Sequence, residues 1–207
     1  MRASGRTAPL PWLKPAVLTG SMVPIAAILL RAWRDDLGAD PIAQALNQLG
    51  LVALIFLVAA LGCTPLKTIA GWTCQMRIRR MLGLLAFFYA CLHVITYTAI
   101  DQGLDWHAIA DDIIKRKFIL FGFSTFLLLL PLAATSTNSA VRRLGFPRWK
   151  LLHRLAYVAP AFGVLHFIWR VKRDEREPVM YGLVLAALLF VRIVNHSFSR
   201  ARPSASK

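Results

Sequence analysis

The chain has 207 residues, enough for one or two ordinary domains, yet 57% of them are apolar, 17% are charged and the mean hydropathy is +0.55. That composition excludes a water-soluble globule. Twenty-five Lys and Arg against ten Asp and Glu give a formal charge of +15, but the long uncharged runs need lipid around them rather than nucleic-acid phosphate.

A helix crossing a bilayer needs about 20 mostly apolar residues, and cutting the chain where charges interrupt it predicts six such spans. The first covers about 12–30 and contains Pro15 and Pro24. These prolines, and the lack of a clear small-residue cleavage site, favour a retained span over a signal peptide. The second covers about 45–64, the third 81–100 and the fourth 118–137. The fifth, about 149–169, carries Arg154 near its start. The sixth, about 179–196, is interrupted by Arg192, which can snorkel to the interface. The expected fold is all-α, a polytopic six-helix transmembrane bundle forming one domain over 1–207. Cys63, Cys74 and Cys91 form neither a C-x-x-C pair nor a zinc spacing, so cysteine chemistry is not indicated.

Six spans put both termini on one side, together with the loops around 66–80 and 140–154. That side collects sixteen bases and no acid: Arg2, Arg6, Lys14, Lys67, Arg77, Arg79, Arg80, Arg142, Arg143, Arg148, Lys150, Arg154, Arg192, Arg200, Arg202 and Lys207. All ten acids fall on the other side: Asp35, Asp36, Asp40, Asp101, Asp105, Asp111, Asp112, Asp174, Glu175 and Glu177. The positive-inside rule then predicts cytoplasmic termini. Attraction of bases to anionic lipid, about 1 kcal/mol each, accounts for most of the basic side.

An ionisable residue inside a span is costly and points to function. His93 lies thirteen residues beyond Arg80, and His166 thirteen beyond His153. At about 1.5 Å per residue both stand some 20 Å above those positions, which gives the pair a common depth. Two neutral imidazoles at one depth on different helices can clamp a haem iron from both faces. Ala90 and Gly163, three residues before each, leave room for a ring on the same helical face. The plainer alternative is that each His only hydrogen-bonds a neighbouring helix. His153 shares the depth of Arg80, and Arg has no lone pair to give iron. It stands as an alternative ligand, a quinone contact, a proton carrier or an ordinary interfacial His. On an ideal helix His153 and His166 are about 220° apart in azimuth and do not face one groove.

The remaining polar and aromatic residues read more simply. His107 belongs to an outer loop, and His196 follows the sixth span. Tyr89, Tyr97, Tyr157, Trp149 and Trp169 read as belt or packing residues. Lys115, Arg116, Lys117 and Arg170 sit at the outer mouth, where haem propionates would want cations, although a solvated charge cluster accounts for them equally.

Several runs then carry a resemblance: Leu37-Gly38-Ala39-Asp40-Pro41; Arg79-Arg80-Met81-Leu82-Gly83-Leu84 leading to His93; Ala134-Thr135-Ser136-Thr137 before Arg142-Arg143-Leu144-Gly145; and Trp149-Lys150-Leu151-Leu152-His153-Arg154-Leu155 followed by His166. Together, in this order and nearly end to end, they resemble the MsrQ (YedZ) family within the wider ferric-reductase-like transmembrane superfamily. The resemblance implies a multi-pass cytochrome b of the bacterial inner membrane. It takes electrons from the quinone pool, or from a cytoplasmic flavin reductase, and passes them to MsrP, a periplasmic molybdenum-containing subunit that reduces methionine sulfoxide in oxidised proteins. It further implies haem b, with His93, His153 and His166 as the family's histidines, and an associated FMN for which no glycine-rich fingerprint is seen. Where wider relatives carry two His on each of two spans, this chain has Arg80. The electron source would then work at the inner level, around His153, Arg77 and Arg80, with the polar Thr135-Ser136-Thr137-Asn138 stretch nearby.

Two other classes compete with an electron-transfer subunit that has no substrate chemistry of its own. A stand-alone ferric reductase would need a nicotinamide and flavin domain, which this sequence lacks. A small proton-linked transporter or structural membrane protein would use the histidines without haem. Transporters commonly place acids near the midplane, whereas every acid here lies outside the spans.

Overall fold

A computed structural model describes residues 10–171 and 175–201. Of the charges counted above, Arg2, Arg6, Asp174, Arg202 and Lys207 lie outside the described residues, as do the side chains of His196 and Arg200. The elements among the described residues are all helical, without strands, and six helices are long and apolar enough to cross a membrane. This is a multi-pass membrane protein.

α1 (Leu13–Trp33) keeps its internal Pro24. α2 (Pro41–Ala70) starts sharply because the Asp40 carboxylate accepts from the Ala43 amide and Pro41 sits in the first turn. Both features suit a helix start, where the first amides lack partners. Gly71, at φ 69°, ends it in the left-handed region that favours glycine. At 30 residues, α2 is about 45 Å long and exceeds a hydrocarbon core of about 30 Å. A 3₁₀ turn, Cys74–Arg77, leads into α3 (Arg79–Ile95), which continues as a π-helical turn over Thr96–Asp101.

The segment around His107 is helical rather than a loop. α4 (Trp106–Lys115) begins where Asp105 accepts from the amides of His107 and Ala108, and it buries Ile109 while His107 stays exposed. α5 (Lys117–Ala134) follows almost at once. Two short helices, α6 (Asn138–Leu144) and α7 (Phe146–Leu152), then precede α8 (Leu155–Arg170) and α9 (Arg176–Ala201). The expected fifth span is present as Phe146–Arg170, with a local break in the helix at His153 and Arg154. The ideal-helix angle between His153 and His166 does not apply across that break.

α2 packs along α3, and α5 along α8, with α1 and α9 resting on this pair of pairs. Three buried clusters hold the bundle together, and α2 contributes to all of them. Leu54, Val58 and Leu61 meet Val164 and Leu185; Leu57 meets Ala86, Leu129, Leu132 and Ala159; Leu49 and Ala53 meet Ile28 and Tyr89. Large apolar side chains such as Leu29, Leu183 and Phe190 point outward, as they do where acyl chains are the solvent. Cys63, Cys74 and Cys91 are free thiols.

Tyr89 is fully buried, and its hydroxyl donates to the Ser21 carbonyl of α1. Removing that hydroxyl leaves the ring's volume in place but removes its bond to α1. Tyr89→Phe is expected to lower stability in a denaturing-detergent titration by about 0.5–1.5 kcal/mol. An unchanged midpoint would mean that this bond does not hold α1 to the bundle.

Candidate functional site

His93 on α3 and His166 on α8 come together across the bundle. Their ring centroids are 6.1 Å apart and their planes are inclined at 86°. Neither ring is free to turn. His93 Nδ1 lies 2.9 Å from the Leu46 carbonyl oxygen on α2, and His166 Nδ1 lies 2.6 Å from the Phe118 carbonyl oxygen on α5. A carbonyl only accepts, so each Nδ1 carries the proton and donates it. Each ring is left with an Nε2 lone pair, the form that binds a metal, with the other nitrogen tied to a backbone carbonyl as metal-ligating histidines commonly are.

The close approach of the imidazoles themselves to their neighbours depends on small residues other than Ala90 and Gly163. A Cβ on Gly163 would meet Leu54 and Thr125 at ordinary distance, and Ala90 packs into the apolar core. The glycines that face the imidazoles stand on the neighbouring helices: Gly50 opposite His93 and Gly122 opposite His166. Sequence periodicity along α3 and α8 cannot reveal them, because the contact is between helices. Arg170, one turn beyond His166, is near enough to act electrostatically on both rings. Of the other cations expected at this mouth, Lys115 pairs with Asp111 at 2.6 Å and Arg116 with Asp112 at 3.1 Å, while Lys117 is exposed at the start of α5.

A second feature lies toward the basic end, where a cleft of about 1110 Å³ opens between the helices. Leu57, Leu129 and Leu132 form its apolar depth. Arg79, Arg80, Lys150, Arg154 and Arg192 line it with no acid among the described residues. His153 and Arg80 both belong to this wall, and Arg80 donates to the Asn138 side-chain oxygen at 3.0 Å. Arg77 is exposed on the 3₁₀ turn, outside the lining. Arg79, two residues further on, belongs to the lining.

His153 is held differently from the other two. Trp149 stacks on it with centroids 4.1 Å apart and donates its indole N–H to the Thr135 carbonyl. The Thr135 hydroxyl donates to the Pro131 carbonyl at 2.6 Å and lies 3.0 Å from His153 Nε2. With its one proton used, that hydroxyl accepts from Nε2, so His153 is the opposite tautomer and its lone pair is on Nδ1. Of the Thr135 to Asn138 stretch, Thr135, Ser136 and Thr137 line the cleft, and Thr137 also caps α6.

The guanidinium of Arg192, inside the sixth span, lies 4.5 Å from the Tyr157 ring centroid, and its Nη1 is buried without a hydrogen-bond partner among the described residues. The ring face supplies the compensation that a carboxylate would supply elsewhere.

With this geometry in place, the chain matches, over residues 44–164, the family described as ferric reductase like transmembrane component. The stretch runs from α2 into α8. The chain is also 48% identical over 179 residues to the protein-methionine-sulfoxide reductase heme-binding subunit MsrQ of Rhodospirillum rubrum, covering 86% of each chain. It is 48% identical over 188 residues to the subunit of the same name from Deinococcus radiodurans, covering 91% of this chain and 93% of that one. The Polaromonas naphthalenivorans subunit is 42% identical over 198 residues, which are 95% of this chain and 90% of that protein. Fold and site define a multi-pass helical membrane protein with paired imidazoles in its core. The chain belongs to the ferric-reductase-like transmembrane family and, within it, to the MsrQ family.

A double-mutant cycle on Arg192→Met and Tyr157→Leu, read by unfolding in detergent, is expected to give a coupling of about 0.5–2 kcal/mol. Strict additivity would mean that the ring does not stabilise the cation.

Proposed function

We propose that this chain is a membrane cytochrome b subunit, with haem b held between His93 and His166, that carries electrons across the bacterial inner membrane to MsrP, the periplasmic molybdenum-dependent methionine-sulfoxide reductase that repairs oxidised proteins. The observation that carries the reading is the imidazole pair. A metal to imidazole nitrogen bond is about 2 Å, so two such bonds on one iron bring the ring centroids to about 6 Å, and the observed separation is 6.1 Å. Both rings leave Nε2 as the available donor. The fit is therefore one of spacing and of donor chemistry.

Orientation rests on charge. The termini belong in the cytoplasm because their side collects sixteen bases and no acid. On that reading His93 and His166, which stand near the acidic ends of α3 and α8, lie toward the periplasm within reach of the acceptor. The cleft at the basic end is where the electron donor binds. Its five cations suit an anionic donor such as FMN, whereas its apolar depth and the Trp149 face suit a flat ring, either flavin or quinone. When bound, haem supplies a one-electron carrier, and a flavin or quinone divides an electron pair into single electrons. The chain's own residues do the rest. Arg79, Arg80, Lys150, Arg154 and Arg192 attract and orient the donor, His153 and Thr135 shape the wall and can exchange a proton there, and the packed leucines above exclude water. His153 is a wall residue on this account rather than a ligand of the outer iron, and Arg77, exposed outside the cleft lining, adds to the field of the basic surface.

The reduced-minus-oxidised spectrum of the purified protein tests the assignment. Haem bands are expected in the wild type, lost in His93→Ala and in His166→Ala, and retained in His153→Ala. Intact bands in the first two variants would remove the assignment. In a reconstituted system, Arg80→Gln and Arg192→Gln should each slow reduction by quinol or reduced flavin about tenfold, the loss of one charge-assisted contact, without changing haem content. Unchanged rates with both donors would place donor binding elsewhere.

A further inference from the structure

The backbone around the two imidazoles is built the same way twice. On α2 the Leu46 carbonyl accepts from His93 Nδ1, and on α5 the Phe118 carbonyl accepts from His166 Nδ1. In a helix the residue four positions on lies one turn above such a carbonyl and partly covers it. In both cases that residue is a glycine, Gly50 above Leu46 and Gly122 above Phe118. A Cβ on Gly122 would come within 2.7 Å of His166 Nδ1 and 2.9 Å of its Cε1, and one on Gly50 would come within 3.2 Å of the same two atoms of His93. Contacts this short require the ring to move. The missing side chains therefore expose a carbonyl already engaged in its own helix to a second donor from the neighbour.

We propose that these two notches, Leu46 with Gly50 and Phe118 with Gly122, are positioning elements for the axial ligands: they select the Nε2-binding tautomer and lock the two imidazole planes in the crossed arrangement, at 86°. This rests on the haem reading above, and it adds a property that ligand identity alone does not determine. Rotation of an axial imidazole about its bond to iron is otherwise soft. A hydrogen bond from Nδ1 to a fixed backbone oxygen removes that freedom, because the ring cannot turn without stranding its N–H in an apolar interior. In low-spin ferric iron the relative orientation of the two ligand planes sets the splitting of the two π-type d orbitals. Parallel planes split them widely, and crossed planes leave them nearly equal. The same N–H to carbonyl bond makes the imidazole a stronger donor, which favours the ferric state.

The test uses the full-length haem-loaded protein and electron paramagnetic resonance of its ferric form, with the midpoint potential measured in parallel. The wild type is expected to give one strongly anisotropic low-spin signal with a single large g value. A three-line rhombic signal from haem-loaded wild type would overturn the crossed arrangement, and this reading does not depend on any variant folding. Absence of haem from the wild type would instead sink the cytochrome assignment itself. Gly122→Ala should convert the signal toward the rhombic type and raise the midpoint potential. Gly50→Ala, whose contact is half an ångström looser, should move both readings the same way by less and supplies the answer if Gly122→Ala does not retain haem. Gly20→Ala on α1, where an added Cβ meets nothing within 4 Å, should leave both unchanged. Wild-type spectra and potentials in both Gly50→Ala and Gly122→Ala would show that the notches do not position the ligands.

Discussion

The bundle depends on one demand: an imidazole N–H buried between helices must find an acceptor where every backbone carbonyl is already engaged. An unpaired polar group in such surroundings costs about 1–3 kcal/mol. The chain meets the demand twice with a shared carbonyl, at Leu46 for His93 and at Phe118 for His166. Each solution requires the donor helix and the acceptor helix to lie close, and those are the two pairs, α2 with α3 and α5 with α8, that pack along their length. The pairing of the helices and the orientation of the rings are thus one arrangement.

Joining the two pairs is the task of α2. It enters all three buried clusters, fastening α1 through Leu49 and Ala53, α5 and α8 through Leu57, and α9 through Leu54, Val58 and Leu61. A bundle organised around one central helix can keep a rigid level near one end while opening a cleft at the other. At the acidic end the imidazoles are clamped from both sides. At the basic end His153 and Arg154, where the helix is interrupted, line a cleft of about 1110 Å³. The proposed division of labour follows from that asymmetry, with a fixed one-electron site above and an exchangeable donor site below.

Much of this is legible in the chain itself. Six apolar stretches of bilayer length and a complete separation of acids from sixteen bases specify a six-span helical bundle, and the thirteen-residue spacings from Arg80 to His93 and from His153 to His166 predict the common level. Contacts between helices are not legible in this way. Gly163 and Ala90 attract attention because they precede the histidines on their own helices, but Gly50 and Gly122, far away in sequence, are the residues that face the rings. The azimuth of about 220° between His153 and His166 assumes one continuous helix, whereas the helix is interrupted at His153 and Arg154. α4 is short and only its Ile109 is buried, so its amphipathic pattern is easily read as a loop between spans. The place of Arg79 rather than Arg77 on the cleft wall likewise depends on where α3 begins, a matter of one turn.

The central claim is that His93 and His166 hold one iron between their Nε2 atoms. The most direct measurement is an iron anomalous-scattering map of crystals of the haem-loaded protein. A single strong peak midway between the two imidazoles is the predicted result. A peak in the basic cleft beside His153, with none between His93 and His166, would contradict the account.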